Sequence, residues 1–349
     1  MSRALTGDPV RRHATQRNGW AWCALAALLF GAATPATKLV VDHVGAVTLA
    51  GLLYLGAAGA VAPFALRERR SRATLPQRAR LLIAVGLGGG VAPVLLVLAL
   101  ARTPAGTVSL FLNLELVATV VIARAFLQEH IGRRAGLGTI VVVLGGIILA
   151  GTSDAGVAAG ALLVAATCVC WGIDNAITAS LDSYSPSQIT LVKGIVAGSV
   201  NFVLGLILDG VPGGSFILAG LAIGALGYGL SIAMWITGAR LVGAARGQVI
   251  FALAPFIGTL LAWPVNGDRL TSTTVVAFAV SLLGVIVVAT SHHGHRHTHR
   301  LMQHAHPIDP SDPHHRPEAI EVLSGTLHRH LVLSHEHEHL PDIHHRHTH

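Results

Sequence analysis

Only two lysines occur in the 349-residue chain, Lys38 and Lys193, and each falls within an apolar run. Two acids do the same, Glu115 and Asp174. A charge at the centre of a bilayer costs about 2.5–3.5 kcal/mol on insertion scales, so an intramembrane ionisable side chain is by default a functional one. Two cations and two anions are chemically complementary. They are expected to line one wet or paired interior, where the lysines hold anionic groups and the carboxylates hold cationic groups or protons. The structural alternative is ion pairing, or snorkelling of Lys193, which lies a few residues into its run.

Helical spacing groups further polar residues with these four. Gly31, Thr34 and Lys38 follow i, i+3, i+7 and share one helix face, with Pro35 beside them. Asp174 and Thr178 are stacked at i, i+4, and Asn175 occupies the position equivalent to Thr34 in an internal repeat. Asn113 precedes Glu115 by two residues, so their side chains point about 200° apart and only one of them is expected to face a shared cavity. The candidate substrate-binding set is therefore Thr34, Lys38, Asn113, Glu115, Asp174, Asn175, Thr178 and Lys193. Glu115 is the candidate for proton exchange.

A second chemistry is confined to the C-terminal tail. Eighteen of the 21 histidines lie beyond residue 290, in runs such as His335-Glu-His-Glu-His339 and His344-His-Arg-His-Thr-His349. Neutral imidazole binds zinc, nickel, cobalt and copper, and dense tracts collect such ions. His335, His337, His339, His344, His345, His347 and His349 are the candidate ligands, and no cofactor is required elsewhere. The tract also satisfies the HExxH spacing of metalloproteases. Repetition accounts for that match, and Pro341 interrupts any helix that would carry it. The glycine-rich stretch Gly86-Leu-Gly-Gly-Gly90 lies within an apolar run with no preceding soluble strand, so it is not a phosphate loop.

The elements that must position these residues follow from composition. The chain is 52% hydrophobic and 12% charged, about half the charge of an ordinary soluble domain. Ten apolar runs occupy approximately 19–41, 46–66, 80–101, 105–126, 136–153, 157–180, 188–208, 214–239, 243–264 and 273–290, each close to the roughly 20 residues that a helix needs to span a bilayer. They are apolar throughout and rich in Ala, Leu and Gly, which favours helices over the alternating strands of a membrane barrel. The three cysteines lie inside these runs and form no framework. The basic balance belongs to the loops between runs and not to a nucleic-acid surface, so no nucleic-acid partner is expected.

Threading the runs alternately gathers the arginines at 3, 11, 12, 17, 67, 69, 70, 72, 78, 80, 124, 133, 134, 240 and 246 on one side, leaving Arg102 and Arg269 on the other. The positive-inside rule then puts both termini in the cytoplasm of a multi-pass protein of the cytoplasmic membrane. The body also repeats. Phe30-Gly31 matches Trp171-Gly172, Leu49 to Gly59 resembles Thr190 to Val200, Phe111 matches Phe251, and Leu144-Gly145 matches Leu283-Gly284. An odd-numbered repeat must insert its two copies in opposite directions, an arrangement that places a substrate path at the repeat interface. The expected fold is an all-α polytopic membrane protein of ten transmembrane helices in two inverted five-helix repeats. Its parts are a basic arm (1–18), repeat one (19–153), repeat two (157–290) and a disordered cytoplasmic His-rich tail (291–349).

Arg102-Thr-Pro-Ala-Gly106, Leu114-Glu115, Gln128-Glu129 and Leu144-Gly145-Gly146 in the first repeat, with Leu253-Ala254-Pro255, Asp268-Arg269-Leu270 and Leu283-Gly284 in the second, resemble the EamA-type permeases of the drug/metabolite transporter superfamily. Leu116 stands where that family usually has Pro, Ala254 where it has a second Glu, and Asp268 where it has a later Glu. The resemblance implies a permease that moves a small polar metabolite or drug by alternating access, as monomer or homodimer in lipid. The alternative is export of a transition metal assisted by the tail. Against it, the spans hold no histidine and no cluster of metal ligands. An enzyme is not expected, because no intramembrane histidine is present to activate a nucleophile. Glu129 and Asp268 occupy equivalent connections on opposite faces, where capping and pairing with Arg133 or Arg269 is the expected role.

Overall fold

The computed structural model describes residues 9–68, 73–126, 132–151, 155–179, 181, 183–242 and 244–290, and in the tail 293–298, 302–305, 320–324, 327–330 and 334–339. It divides into two compact units, Met1–Thr290 and Ser291–His349.

The first unit is helical, with ten segments long and apolar enough to cross a membrane. These are α1 (Asn18–Lys38), α2 (Ala46–Ala65), α3 (Leu75–Arg102), α4 (Ala105–Ile122), α5 (Arg133–Gly151), α6 (Val157–Thr178), α7 (Pro186–Asp209), α8 (Gly214–Ala239), α9 (Gly247–Asn266) and α10 (Ser272–Ala289). Local sequence sets their ends. Thr74 and Ser185 each form a capping box with the glutamine three residues on, and a proline follows within two positions. Thr271 caps α10, and Gly267 closes α9 at φ 70°, a conformation that costs glycine nothing.

The two halves interlock through a pseudo-twofold exchange. α3 and α4 of the first half pack on α6, while α8 and α9 of the second pack on α1. α2 lies along α7, α4 meets α9, and α5 lies along α10. Small residues allow this approach. A methyl group on Gly51 or Gly205 would enter the backbone across the α2–α7 contact, and one on Gly138 or Gly284 would do so across α5–α10. The outward face is apolar, with Ile140, Ile147, Val203, Ile207 and Leu283 all more than half exposed, as a surface solvated by lipid requires.

Regular helix is interrupted at corresponding places in the two halves. Val85–Val91 in α3 and Gly224–Leu230 in α8 are π-helical. α4 breaks at Leu112-Asn113 and α9 at Ala252-Leu253, each directly after the repeated phenylalanine, Phe111 or Phe251. Interrupted spans at equivalent depths of an inverted repeat mark the usual location of a transport site.

For the tail, disorder is the expectation from sequence. Its described stretches are the strands β1 (His293–Thr298), β2 (Met302–Ala305), β3 (Ile320–Ser324), β4 (Leu327–His330) and β5 (Ser334–His339). β1 pairs antiparallel with β5, and β4 lies between β2 and β3. Period-two patterning underlies this. The register sets His293, His295 and His297 opposite His339, His337 and His335, with Arg296 opposite Glu336.

Candidate functional site

The intramembrane charges are not distributed as four equivalents. Lys193 on α7 donates to both carboxylate oxygens of Asp174 on α6 at 2.6 Å, and the two side chains are only 12% and 7% exposed. Both partners belong to the second half. They sit against the π-helical segment of α3 in the first half, where a methyl group on Gly88 would overlap the Asp174 carboxyl. A π turn leaves carbonyls without their ordinary helical donors, and here side chains supply donors. Gly88 O accepts from Tyr54 Oη at 2.6 Å and from Trp171 Nε1 at 3.1 Å, while Gly90 O accepts from Asn201 Nδ2 at 3.0 Å.

Glu115 follows the break in α4 by two residues and receives Asn175 Nδ2 at 2.9 Å, which links the first half to α6. It is half-buried, and Asn175 is exposed. A run of aromatic rings begins at Tyr54, which also bonds Gly88 O. Tyr54 and Tyr228 have centroids 6.1 Å apart, Phe30 meets Tyr228 edge-on at 5.7 Å and Phe251 at 5.1 Å, and Trp235 lies 6.3 Å from Phe251. The indole N–H of Trp235 is buried and meets no acceptor among the described residues.

The structure thus brings together five of the eight residues singled out from sequence: Glu115, Asn175, Asp174, Lys193 and Thr178. Thr178 contributes only a hydroxyl returned to Asp174 O at 2.9 Å. Asn113 is buried and bonds back to Leu110 O at 2.9 Å, so of the pair two residues apart it is Glu115 that reaches across to the other half. Thr34 is buried within α1. Lys38 stands apart. Its ammonium donates to Leu100 O at 2.5 Å, serving the carbonyls at the end of α3, where a cation is favoured. Tyr54, Trp171, Tyr228, Trp235 and Phe251 were not among the sequence candidates. The legible signal was confined to two of them, since Trp171 and Phe251 are the repeat counterparts of Phe30 and Phe111.

On the face away from the N-terminus, a second set of bonds joins the halves. Asp268 does not depend on Arg269 for its role: its carboxylate accepts from Gly106 N at 2.7 Å. Thr259 donates to Gly106 O at 3.0 Å, and Asn266 donates to Pro35 O at 3.1 Å. On the near face, Ser183 donates to Gln77 at 3.0 Å and Ser185 to Glu68. Glu129 lies outside the described residues, as do His344, His345, His347 and His349. His335, His337 and His339 occupy alternate positions of β5. Among the described residues, no group of three or more His, Cys, Asp or Glu side chains could hold a metal ion.

Comparison with known proteins agrees with this architecture. Residues 17–151 and 158–290 each match the EamA-like transporter family. An uncharacterized transporter of Methanothermobacter thermautotrophicus is 24% identical over 224 residues, which is 60% of this chain and 63% of that protein's length. A solved crystal structure superimposes with a TM-score of 0.58 over 79% of this chain and 98% of its own at 18% identity, a likeness of fold alone. With two family matches covering both five-helix halves, and with interrupted helices meeting where the halves join, the chain belongs to the EamA-like transporter family.

Proposed function

We propose that this chain is a secondary transporter that carries a small polar metabolite or drug across the cytoplasmic membrane by alternating access, with both termini in the cytoplasm. The observation that carries the reading is the Glu115–Asn175 contact between halves beside the Asp174–Lys193 pair, at the depth where α3, α4, α8 and α9 all depart from regular helix. Interrupted spans give the bundle places to bend, and the bonded sets at the two faces give it closures to make and break. The arginine-rich loops on the face of the N-terminus support the orientation.

Glu115 serves as the coupling group. It is the one intramembrane carboxylate without a cationic partner among the described residues, so it can hold a proton when no substrate is present. Reconstituted protein is expected to drive solute flux when a pH gradient is imposed, and Glu115→Gln to abolish the dependence on that gradient. Gradient dependence that survives the substitution removes Glu115 from the coupling step. A broad solute panel that yields no flux at all removes the transport reading.

A further inference from the structure

Strand register, and not abundance alone, places the histidines of the tail. β1 and β5 run antiparallel, with His293 opposite His339, His295 opposite His337 and His297 opposite His335. Alternate residues of a strand share one face of a sheet, so these six histidines form three rungs on a single face of the ribbon. The other face has Arg296 opposite Glu336 and Gly294 opposite Glu338. We propose that each rung binds one transition-metal ion through one imidazole from each strand, with copper(II) held most tightly. The proposal concerns the second unit alone and is independent of the transport reading.

The sequence itself favours the register that makes the rungs. A slip of one residue would set His295 opposite Glu336 or Glu338 and take Arg296 away from Glu336, losing a cross-strand pair of opposite charges. Residues directly opposite in an antiparallel pair have Cβ atoms about 4.5–5.5 Å apart. Two imidazoles can bridge that separation around one ion, at metal–nitrogen distances of about 2.0–2.1 Å.

The ligands select the class of metal. Imidazole suits copper, nickel and zinc, whereas magnesium and calcium take oxygen. Among the described residues no three such ligands converge, so water completes the shell of each ion. Structural zinc takes four protein ligands, which the rungs do not supply. What remains is the general order of divalent affinity, in which copper(II) stands above nickel and zinc. An ion shared by β1 and β5 also joins the two ends of the chain between Thr298 and Ser334, so metal loading and strand pairing reinforce each other.

The test uses the full chain in nanodiscs, carrying His344→Gln, His345→Gln, His347→Gln and His349→Gln so that the terminal run contributes no ligand. Copper(II) is titrated in competition with a chromophoric chelator, and the bound ions are counted. His295→Gln is expected to remove one ion. Adding His337→Gln, the other member of the same rung, is expected to remove no more. Adding His335→Gln instead, from the neighbouring rung, is expected to remove a second ion, because coupling is confined to residues that share a ligand. Nickel and zinc are expected to bind more weakly, and magnesium not at all. A chain that binds no copper, or two double variants that lose the same number of ions, overturns the proposal. Solute flux in proteoliposomes reports on the transport reading separately.

Discussion

Asp174 and Lys193 show how burial turns a pair of charges into a structural commitment. Removing one partner of a buried ion pair leaves the other uncompensated, at a cost of about 3–5 kcal/mol, whereas replacing both with apolar groups of similar volume is near neutral or stabilising. Asp174→Asn is therefore expected to lower the thermal midpoint of the purified protein steeply, and Asp174→Leu combined with Lys193→Met to recover most of it. If the double variant melts with the single one, the pair carries more than its own compensation. At this scale the sequence was partly legible. Charges in apolar runs identify themselves, while Thr178 turns its hydroxyl to the backbone carbonyl of Asp174. Lys38 met the same criterion, yet it sits at the last residue of α1, near enough to the end of α3 to be claimed by a carbonyl. Spacing along one helix cannot tell which neighbour lies across it.

Between residues and fold, the π-helical segments deserve the closest test. Gly88 combines two demands: its carbonyl receives Tyr54 and Trp171, and its missing side chain leaves room for Asp174. Adding a methyl there forces the ion pair to move, an overpacking that costs about 1–3 kcal/mol. Gly86, in the same segment, has open space where its methyl would go. Gly88→Ala is expected to lose stability and flux together, while Gly86→Ala stays within about 0.5 kcal/mol of the parent, the range of an unobstructed surface change. Chemical-denaturation midpoints in detergent compare the two, and equal effects would remove the contact with Asp174 as the cause. Ten spans, their order and their small-residue contacts could be read from hydropathy and glycine content. The π turns could not, because they depend on side chains from α2 and α6 donating to the displaced carbonyl of Gly88. Glycine content marked the segment without revealing its geometry.

Across the whole molecule, the two faces of the bundle are closed by different chemistry. Asp268 reaches from the connection before α10 to the first turn of α4, fastening one half to the other. A charged hydrogen bond of this kind contributes about 1.5–3 kcal/mol, enough to shift an equilibrium between two arrangements of a carrier by tenfold or more. Asp268→Asn is expected to increase the rate at which a cysteine at Thr107 reacts with a membrane-impermeant maleimide, in a background lacking Cys23, Cys168 and Cys170. An unchanged rate would mean that Thr259 and Asn266 hold that face without it. The inverted repeat was legible at this scale because Phe30-Gly31 and Trp171-Gly172 recur with the same offset as Leu49–Gly59 and Thr190–Val200. That offset also shows what is not repeated. It pairs Asp174 with Ala33 and Lys193 with Leu52, so the first half has aliphatic residues where the second has its ions.

This inequality has a kinetic consequence. A carrier whose halves were chemical mirror images would present the same threshold to a passenger arriving from either compartment. Here the buried ions Asp174 and Lys193 have buried Ala33 and Leu52 as their counterparts, so the two arrangements of the proposed carrier would differ in energy. In the proposed cycle, loading would then be half-saturated at different concentrations on the two sides, while detailed balance holds the opposing fluxes equal at equilibrium.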